Sequence, residues 1–310
     1  MKQGVKKNKY LSYLKSWQLY LLLLPTLLYF IIFRYVPIFG IQIAFKDYMP
    51  ALGIVESPWA TPVFKHFARF FQGYYAKRLI INTLVLSFGQ LLLGFPLPVI
   101  LALLLNEARS QRFKKVAQTV TYAPHFISTV VLVGLLSTLL NTGNGLINHL
   151  LLSAGLIEEP IEFLTEAGWF KPLYIISGIW QEMGWGAVVY MAALAGVDQQ
   201  LYEAAKVDGA GRMKRILYIT IPAILPAMIT MLILNCGKVM NIGYEKVYLM
   251  QNDLNIASSD VISTYVYKVG ILNNQYSFST AVNLFNSVIN TALIIIVNKF
   301  SKKVSDTSLW

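Results

Sequence analysis

Six long apolar runs, separated by short polar or basic stretches, set the pattern of this chain. They cover about residues 19–36, 79–105, 116–140, 172–197, 219–240 and 281–297. Each approaches or exceeds the roughly 20 residues that an α-helix needs to cross a bilayer. The pattern predicts an all-α integral membrane protein with six transmembrane helices. Residues 1–18 read as a cytoplasmic N-terminal tail and 19–310 as a single transmembrane domain. Two runs are interrupted, by Phe95-Pro96-Leu97-Pro98 and by Pro124-His125. Kinks are expected there, because proline removes a helical donor and crowds the preceding turn. Inside a membrane the freed carbonyls are tolerated only against protein or a water-filled path.

Charge at the ends of the runs orients them. Lys2, Lys6, Lys7, Lys9 and Lys15 precede the first run, and Arg109, Arg112, Lys114 and Lys115 follow the second. Lys299, Lys302 and Lys303 follow the sixth. Basic residues gather on the cytoplasmic side, so both termini are expected inside. A basic start before an apolar run also describes a signal peptide, but this run is long, has no small-residue cleavage site and precedes further spans. It reads as an uncleaved first helix. On the outer side, Phe64, Phe67, Phe70, Phe71 and Tyr74 alternate at helical spacing with Lys65, Arg69, Lys77 and Arg78. That spacing predicts a helix lying in the interface, although its cations weaken the charge contrast. Glu158, Glu159, Glu162 and Glu166 make the outer loop 141–171 acidic, and 241–280 is polar and aromatic, with Tyr244, Tyr248, Tyr265, Tyr267 and Tyr276.

Composition narrows the class further. A hydrophobic fraction of 56% against 13% charged residues is too apolar for a soluble chain of this length. The formal charge of +11 could suggest nucleic acid, but the cations sit at span ends and not on one soluble face. Cys236, the only cysteine, leaves no disulfide possible within one chain. His66, His125 and His149 are scattered, without the spacing of metal ligands. No catalytic or metal site is assigned.

Between the fourth and fifth runs lies a polar island, Asp198 to Pro226. Asp198 is a suitable N-cap, and Val197, Leu201, Ala204 and Ala205 follow on one stripe. Asp208-Gly209 breaks this helix, since glycine accepts the left-handed conformation at a helix end. A second helix is expected after it, with Met213, Ile216 and Leu217 on one face and Arg212, Lys214 and Arg215 on the other. Pro222 and Pro226 open the next apolar run. Physics alone leaves two readings, a docking surface or a solvated loop.

Glu203-Ala204-Ala205, three residues, Gly209, nine residues, Ile219, one residue, Ile221-Pro222 closely resembles the EAA motif of ABC importer permeases. The spacing is kept throughout, and Ile221 stands where leucine is usual. Asp208 and Ala210 fit the longer form of carbohydrate importers. The likeness extends over nearly the whole chain and is strongest to the polysaccharide and oligosaccharide branch. It implies the type I ABC importer permease fold in the bacterial cytoplasmic membrane, with Gly145, Asn148, Leu151 and Gly155 marking a short surface helix. It further implies that the loop 198–218 docks into a cleft of an ATPase subunit. The ATPase-coupling residues would be Glu203, Ala204, Ala205, Asp208, Gly209, Ala210, Arg212, Ile219 and Pro222. The implied partners are a second, related permease chain, an ABC ATPase dimer inside and a sugar-binding protein outside. ATP binding would draw the coupling helices together and turn the cavity outward, and hydrolysis would reset it. No Gly-x-x-x-x-Gly-Lys-Ser/Thr loop is present, so ATP and magnesium belong to the partner and this chain carries no cofactor.

Ionisable residues within spans usually face a bundle interior or a wet cavity. Arg34, Glu182 and Lys238 are the candidates. Glu182 lies in Trp180-Gln181-Glu182-Met183-Gly184-Trp185-Gly186, where aromatic faces and polar side chains together suit a sugar ring. The alternative is a hydrogen-bonded glutamate fastening two helices. Lys238, near Asn235, Asn241 and Tyr244, either pairs with Glu182, meets an acidic sugar or snorkels to the interface. The translocation pathway candidates are therefore Trp180, Gln181, Glu182, Trp185, Asn235, Lys238, Tyr244 and Arg34.

Two rival functions fit the residues less well. Asp208-Gly209-Ala210-Gly211-Arg212 faintly resembles the start of the phosphatidyl-alcohol transferase motif, yet no acid follows until Glu245, so metal-assisted chemistry lacks ligands. A stand-alone secondary transporter of sugars or other small polar solutes would show internal repeats, and none is visible.

Overall fold

The computed structural model describes residues 17–305 and 308, and the predicted cytoplasmic tail before Trp17 lies outside them. Among the described residues the chain is helical, and the only β-pairing is the isolated bridge between Lys46 and Trp59. Four stretches are long and apolar enough to cross a membrane: Trp17–Phe45, Ala76–Asn106, Arg212–Cys236 and Tyr276–Lys303. A bent pair, Gln111–Phe126 with Thr129–Leu139, adds a fifth if it is one broken span.

The first stretch is longer than the predicted 19–36. Helix α1 (Trp17–Phe30) continues through a wide π-type turn at Ile31–Tyr35 and a tight 3-10 segment at Val36–Phe45. Pro37 does not stop it. The Val36 N–H reaches back five residues to the Ile31 carbonyl, which widens the turn just where a proline ring would crowd it. No residue of α1 is buried among the described residues, whereas the 3-10 segment packs against the last helix, Tyr276–Ser305, and buries Ala44; just beyond it the Tyr48 N–H donates to Ser277 Oγ at 2.9 Å. The expected interface helix forms as α2 (Lys65–Gln72), which buries His66 and Phe70.

The second predicted span is two helices, α3 (Ala76–Gly94) and α4 (Pro96–Asn106), meeting at Phe95. The third departs further from expectation. α5 (Gln111–Tyr122) runs into a 3-10 turn at Ala123–Phe126, and α6 (Thr129–Leu139) then leaves at 101°. This is more than the kink that Pro124 alone predicts. Ser128 starts a new helix by accepting the Val131 N–H, so the chain restarts in a new direction. The freed Ile127 carbonyl accepts from Gln181 Nε2 at 2.8 Å. Helix α7 (Leu146–Ser153) follows, pinned by the buried Asn148 amide, which takes the Ile161 N–H and donates to its carbonyl.

The centre of the fold is α8 (Ala167–Ala195), 29 residues and so about 43 Å long at 1.5 Å per residue. Lys171, Gln181, Glu182 and three tryptophans dilute its hydropathy, and it falls short of the membrane-span composition that its length would allow. It packs instead against protein. Towards one end, Phe170 and Tyr174 join Leu86, Val133, Ile242, Val247 and Val261. Towards the other, Ala187, Tyr190 and Leu194 join Val99, Ala102 and Ile224. A third cluster, with Phe70, Leu79, Ile262, Phe278 and Val282, fastens α2 and α3 to the outer segment.

After α8 comes α9 (Gln199–Val207). The second helix expected in the polar island is not a separate piece. Helix α10 (Arg212–Arg215) continues through a π-type turn at Ile216–Thr220 into α11 (Ile221–Cys236). The Ile221 N–H bonds to the Ile216 carbonyl, the same widened turn before Pro222 that α1 uses before Pro37. The outer segment carries α12 (Tyr244–Met250) and α13 (Ile262–Tyr267), and α14 (Tyr276–Ser305) closes the fold.

Candidate functional site

A cavity of about 500 Å³ opens between α3, α4, α8 and the end of α11. Of the predicted pathway residues, Glu182, Trp185, Asn235 and Lys238 line it, with Gln90, Tyr174, Tyr190 and Asn241. The other four are elsewhere. Arg34 sits in the π-type turn of the first stretch, among residues none of which is buried. Trp180 is about half exposed on another face of α8, and Gln181 caps the bend at Ile127. Tyr244 stacks on Tyr248 at 5.4 Å and meets Tyr267 at a tilt at 4.7 Å, and it is not among the residues that line the cavity.

Glu182 and Lys238 form no ion pair. Glu182 Oε2 lies 3.0 Å from Nδ1 of His125, and the His125 ring stacks flat on Trp185 at 4.6 Å. Glu182 and Trp185, three residues apart, share one face of α8. The break after Pro124 brings His125 across to that face. Metal-ligand spacing does not single out His125; its sequence signal is an ionisable ring beside a proline within an apolar run. Half of the Glu182 side chain (54%) remains exposed to the cavity, so this pair contributes little to stability. Glu182→Ala is expected to lower transport by roughly tenfold, the scale of one lost hydrogen bond to a charged group, with unchanged yield of the assembled complex. Loss of assembly in detergent would instead make the carboxylate a helix fastener.

Lys246, on α12, had no sequence signal. It is 8% exposed, its Nζ donates to the Tyr174 carbonyl at 2.9 Å and lies 4.7 Å over the Tyr174 ring. Burial pushes its ammonium down to about 8, while the nearby Glu182 carboxylate pulls the other way. Gly178 makes the room for it, since a Cβ there would meet both the Gln90 amide and the Lys246 Nζ within about 3 Å. Gln90 Oε1 is buried with no hydrogen-bond partner.

The polar island forms the second part of the site. The Gln200 N–H donates to the Asp198 carboxylate at 2.9 Å, which starts α9. Its end is a Schellman turn: the Gly209 N–H bonds to the Lys206 carbonyl and the Ala210 N–H to that of Ala205, with Gly209 at φ +73°. No residue of α9 is buried, and Leu201 and Val207 are 52% and 88% exposed. Glu203, Ala204 and Asp208 are exposed as well, while Ala205, Ala210 and Ile219 are half-buried. Pro222 is exposed on α11. Arg212, expected to face a partner, reaches within the chain to α4. Its Nε meets Glu107 Oε2 at 2.8 Å and its guanidinium also donates to the Glu107 carbonyl. Tyr202 and Thr220 share a 3.0 Å hydrogen bond that ties α9 to the turn before α11.

Residues 80–306 match the family described as binding-protein-dependent transport system inner membrane component. Protein LplB of Bacillus subtilis (strain 168) is 48% identical over 292 residues, covering 94% of this chain and 91% of its own. The polygalacturonan/rhamnogalacturonan transport system permease protein YteP of the same organism is 43% identical over 309 residues, covering 100% of this chain and 95% of its own. A solved chain of a bacterial alginate ABC transporter, in complex with an alginate pentasaccharide-bound periplasmic protein, superposes with a TM-score of 0.88 at 38% identity. That match covers 97% of this chain and 99% of the other.

Proposed function

The chain belongs to the family of binding-protein-dependent transport system inner membrane components, and from that premise we propose how it works. It is the permease subunit of an ABC importer of the inner membrane and moves oligosaccharides. It crosses the membrane six times, with both termini in the cytoplasm, counting the bent α5–α6 pair as one span and α8 as another. It pairs with a second, related but different permease, so that each contributes half of one path. An ABC ATPase dimer binds α9 from the cytoplasm, and a sugar-binding protein delivers the cargo outside. The chain is non-catalytic and holds no cofactor, and ATP and magnesium act on the ATPase.

The observation that carries this reading is the unpartnered α9. A nine-residue helix with a capped start, a glycine-made end and no buried residue packs little against the described residues of its own chain. Its connections give it one mechanically. It follows α8 across Gly196 to Asp198, Tyr202 ties it to the turn before α11, and Arg212 ties the start of α10 to the end of α4. A push on α9 therefore reaches the three helices that meet at Ala102, Leu194 and Ile224, and α8 carries Glu182 and Trp185 at the cavity. The coupling residues proposed are Glu203, Ala204, Ala205, Asp208, Gly209 and Ala210 on the loop, with Arg212, Ile219 and Pro222 positioning it.

A tagged chain pulled down from its native membrane in mild detergent is expected to bring an ATPase and a second permease with it. Recovery alone or as a homodimer, across several mild detergents, would favour a stand-alone secondary transporter and reduce α9 to a linker.

A further inference from the structure

Lys65, Arg69, Lys77 and Arg78 stand on the side that the span order puts outside, with no acid between them in the sequence. Two of them are neutralised by the fold. Lys65 meets Asp47 at 2.9 Å, and Arg78 meets Asp260 at 3.2 Å. Arg69 and Lys77 are both exposed, and neither makes a hydrogen bond or ion pair among the described residues. The Arg69 guanidinium is held in place all the same, 4.8 Å over the Phe278 ring. Two hollows meet at Arg69 and Gly73. An open one of about 570 Å³ is lined also by Lys65 and Gln72, and a smaller one of about 130 Å³ also by Tyr75 and Tyr265.

The aromatic neighbours set the depth of this place in the membrane. Helix α14 belongs to the apolar stretch Tyr276–Lys303, and Phe278, under the guanidinium, lies in its first turn. Phe285 lies seven residues further on, about 10 Å along the helix, and meets the Phe71 ring at 5.0 Å. Phe71 is 51% exposed. Helix α2 therefore holds a cation level with the end of a span and an exposed phenyl ring beside its apolar flank. A ring at that depth faces lipid and not a soluble partner. The guanidinium fork matches the oxygens of a phosphate, and an ammonium acts on it as a point charge. A zwitterionic headgroup brings its own ammonium, whereas an anionic one leaves its charge for Arg69 and Lys77.

We propose that the hollows at Arg69 bind the phosphate headgroup of an anionic phospholipid of the outer leaflet, with an acyl chain laid along Phe71. Lys77 adds a second uncompensated charge at the start of α3. The inference goes beyond the importer reading and takes from it only the orientation of the spans. It gives the outer cations, which otherwise weaken the charge contrast across the membrane, a ligand of their own.

The test uses the purified full complex, stripped of lipid in a neutral detergent. The probes are phosphatidylglycerol and phosphatidylcholine with the same photoactivatable acyl chains, and label is counted in the peptide that holds Arg69 and Lys77. Phosphatidylglycerol is expected to reach half-saturation at a concentration at least about tenfold lower, the scale of one hydrogen bond to a charged group. High salt should narrow that gap. Arg69→Gln should bring the ratio near one, and Arg69→Lys should keep part of it. Lys77→Gln should lower it about fivefold, and it carries the test if Arg69→Gln does not assemble. Phe71→Ala should weaken both probes alike. Equal labelling by the two lipids overturns the proposal, as does a preference that survives Arg69→Gln, or Lys77→Gln where that variant stands in. Competition by soluble glycerol phosphate as effective as that of the lipid would overturn it in favour of a free-phosphate site. Loss of label on adding the sugar-binding protein would overturn it in favour of that partner. Failure of the importer reading would appear separately, as a purified complex that contains no ATPase.

Discussion

Gly209→Leu is expected to abolish coupled uptake while the membrane core still assembles. The reason is conformational. Gly209 sits at φ +73° in the turn that ends α9, where a side chain costs about 1–3 kcal/mol of strain. Apart from the residue itself and its chain neighbours, no described atom lies within 4 Å of the position a Cβ would take, so the fault would be strain in the turn and not a collision. The added side chain would project from the exposed surface next to Val207, the face proposed above to dock an ATPase. With the turn opened, the Ala205 and Lys206 carbonyls lose their partners and α9 frays from its C-terminal end. The core clusters lie on other helices and stay intact. Uptake and ATP hydrolysis measured together in proteoliposomes should show hydrolysis without transport. Gly209→Asn, which tolerates the left-handed region better, should retain part of the coupling. Wild-type uptake by the leucine variant would remove this turn from the coupling path.

The features legible in the sequence were those that a single segment decides. Apolar runs mark where helices must satisfy their own backbone in lipid, and each predicted run is mostly helical, with breaks at Phe95 and at 127–128 and a turn in place of helix over 237–240. Asp198 and Gly209 were readable because a cap and a left-handed turn are local demands on residue type. Contacts between segments were not readable. Glu182 and Trp185 are three residues apart and their shared face follows from helical geometry. His125 is 57 positions from Glu182, and joins it only because the chain turns by 101° after Pro124. A proline announces a break but not its angle or its direction. Lys246 was invisible for a similar reason, since a lysine in a polar outer segment gives no sign that α12 folds back onto Tyr174. The second island helix forms, but the sequence does not show that it continues into the next run, since Pro222 reads as a start. A widened turn at Ile216–Thr220 instead carries the helix past it.

Gly184→Ala tests the crossing on which the cavity depends. At this residue α8 and α5 touch backbone to backbone, and a Cβ would overlap the Thr121 carbonyl and crowd the Tyr122 amide. Neither atom belongs to a flexible side chain, so the helices themselves must separate. Overpacking of this kind costs about 1–3 kcal/mol or more. A separation here also acts on function, because Tyr122 leads directly into the turn that holds His125 against Trp185 and Glu182. The alanine variant is therefore expected to give a complex of clearly lower thermal stability and to transport poorly even when assembled. Gly168, in the first turn of the same helix, supplies the control. Only Glu166 Oε1, at 3.9 Å, lies near its added Cβ, so alanine should be neutral there or gain up to about 1 kcal/mol of helix propensity. Equal tolerance of alanine at 168 and 184 would mean that α5 and α8 do not touch. The histidine would then lose its seat on the cavity wall, and the carboxylate of Glu182 would be free to face the lysines.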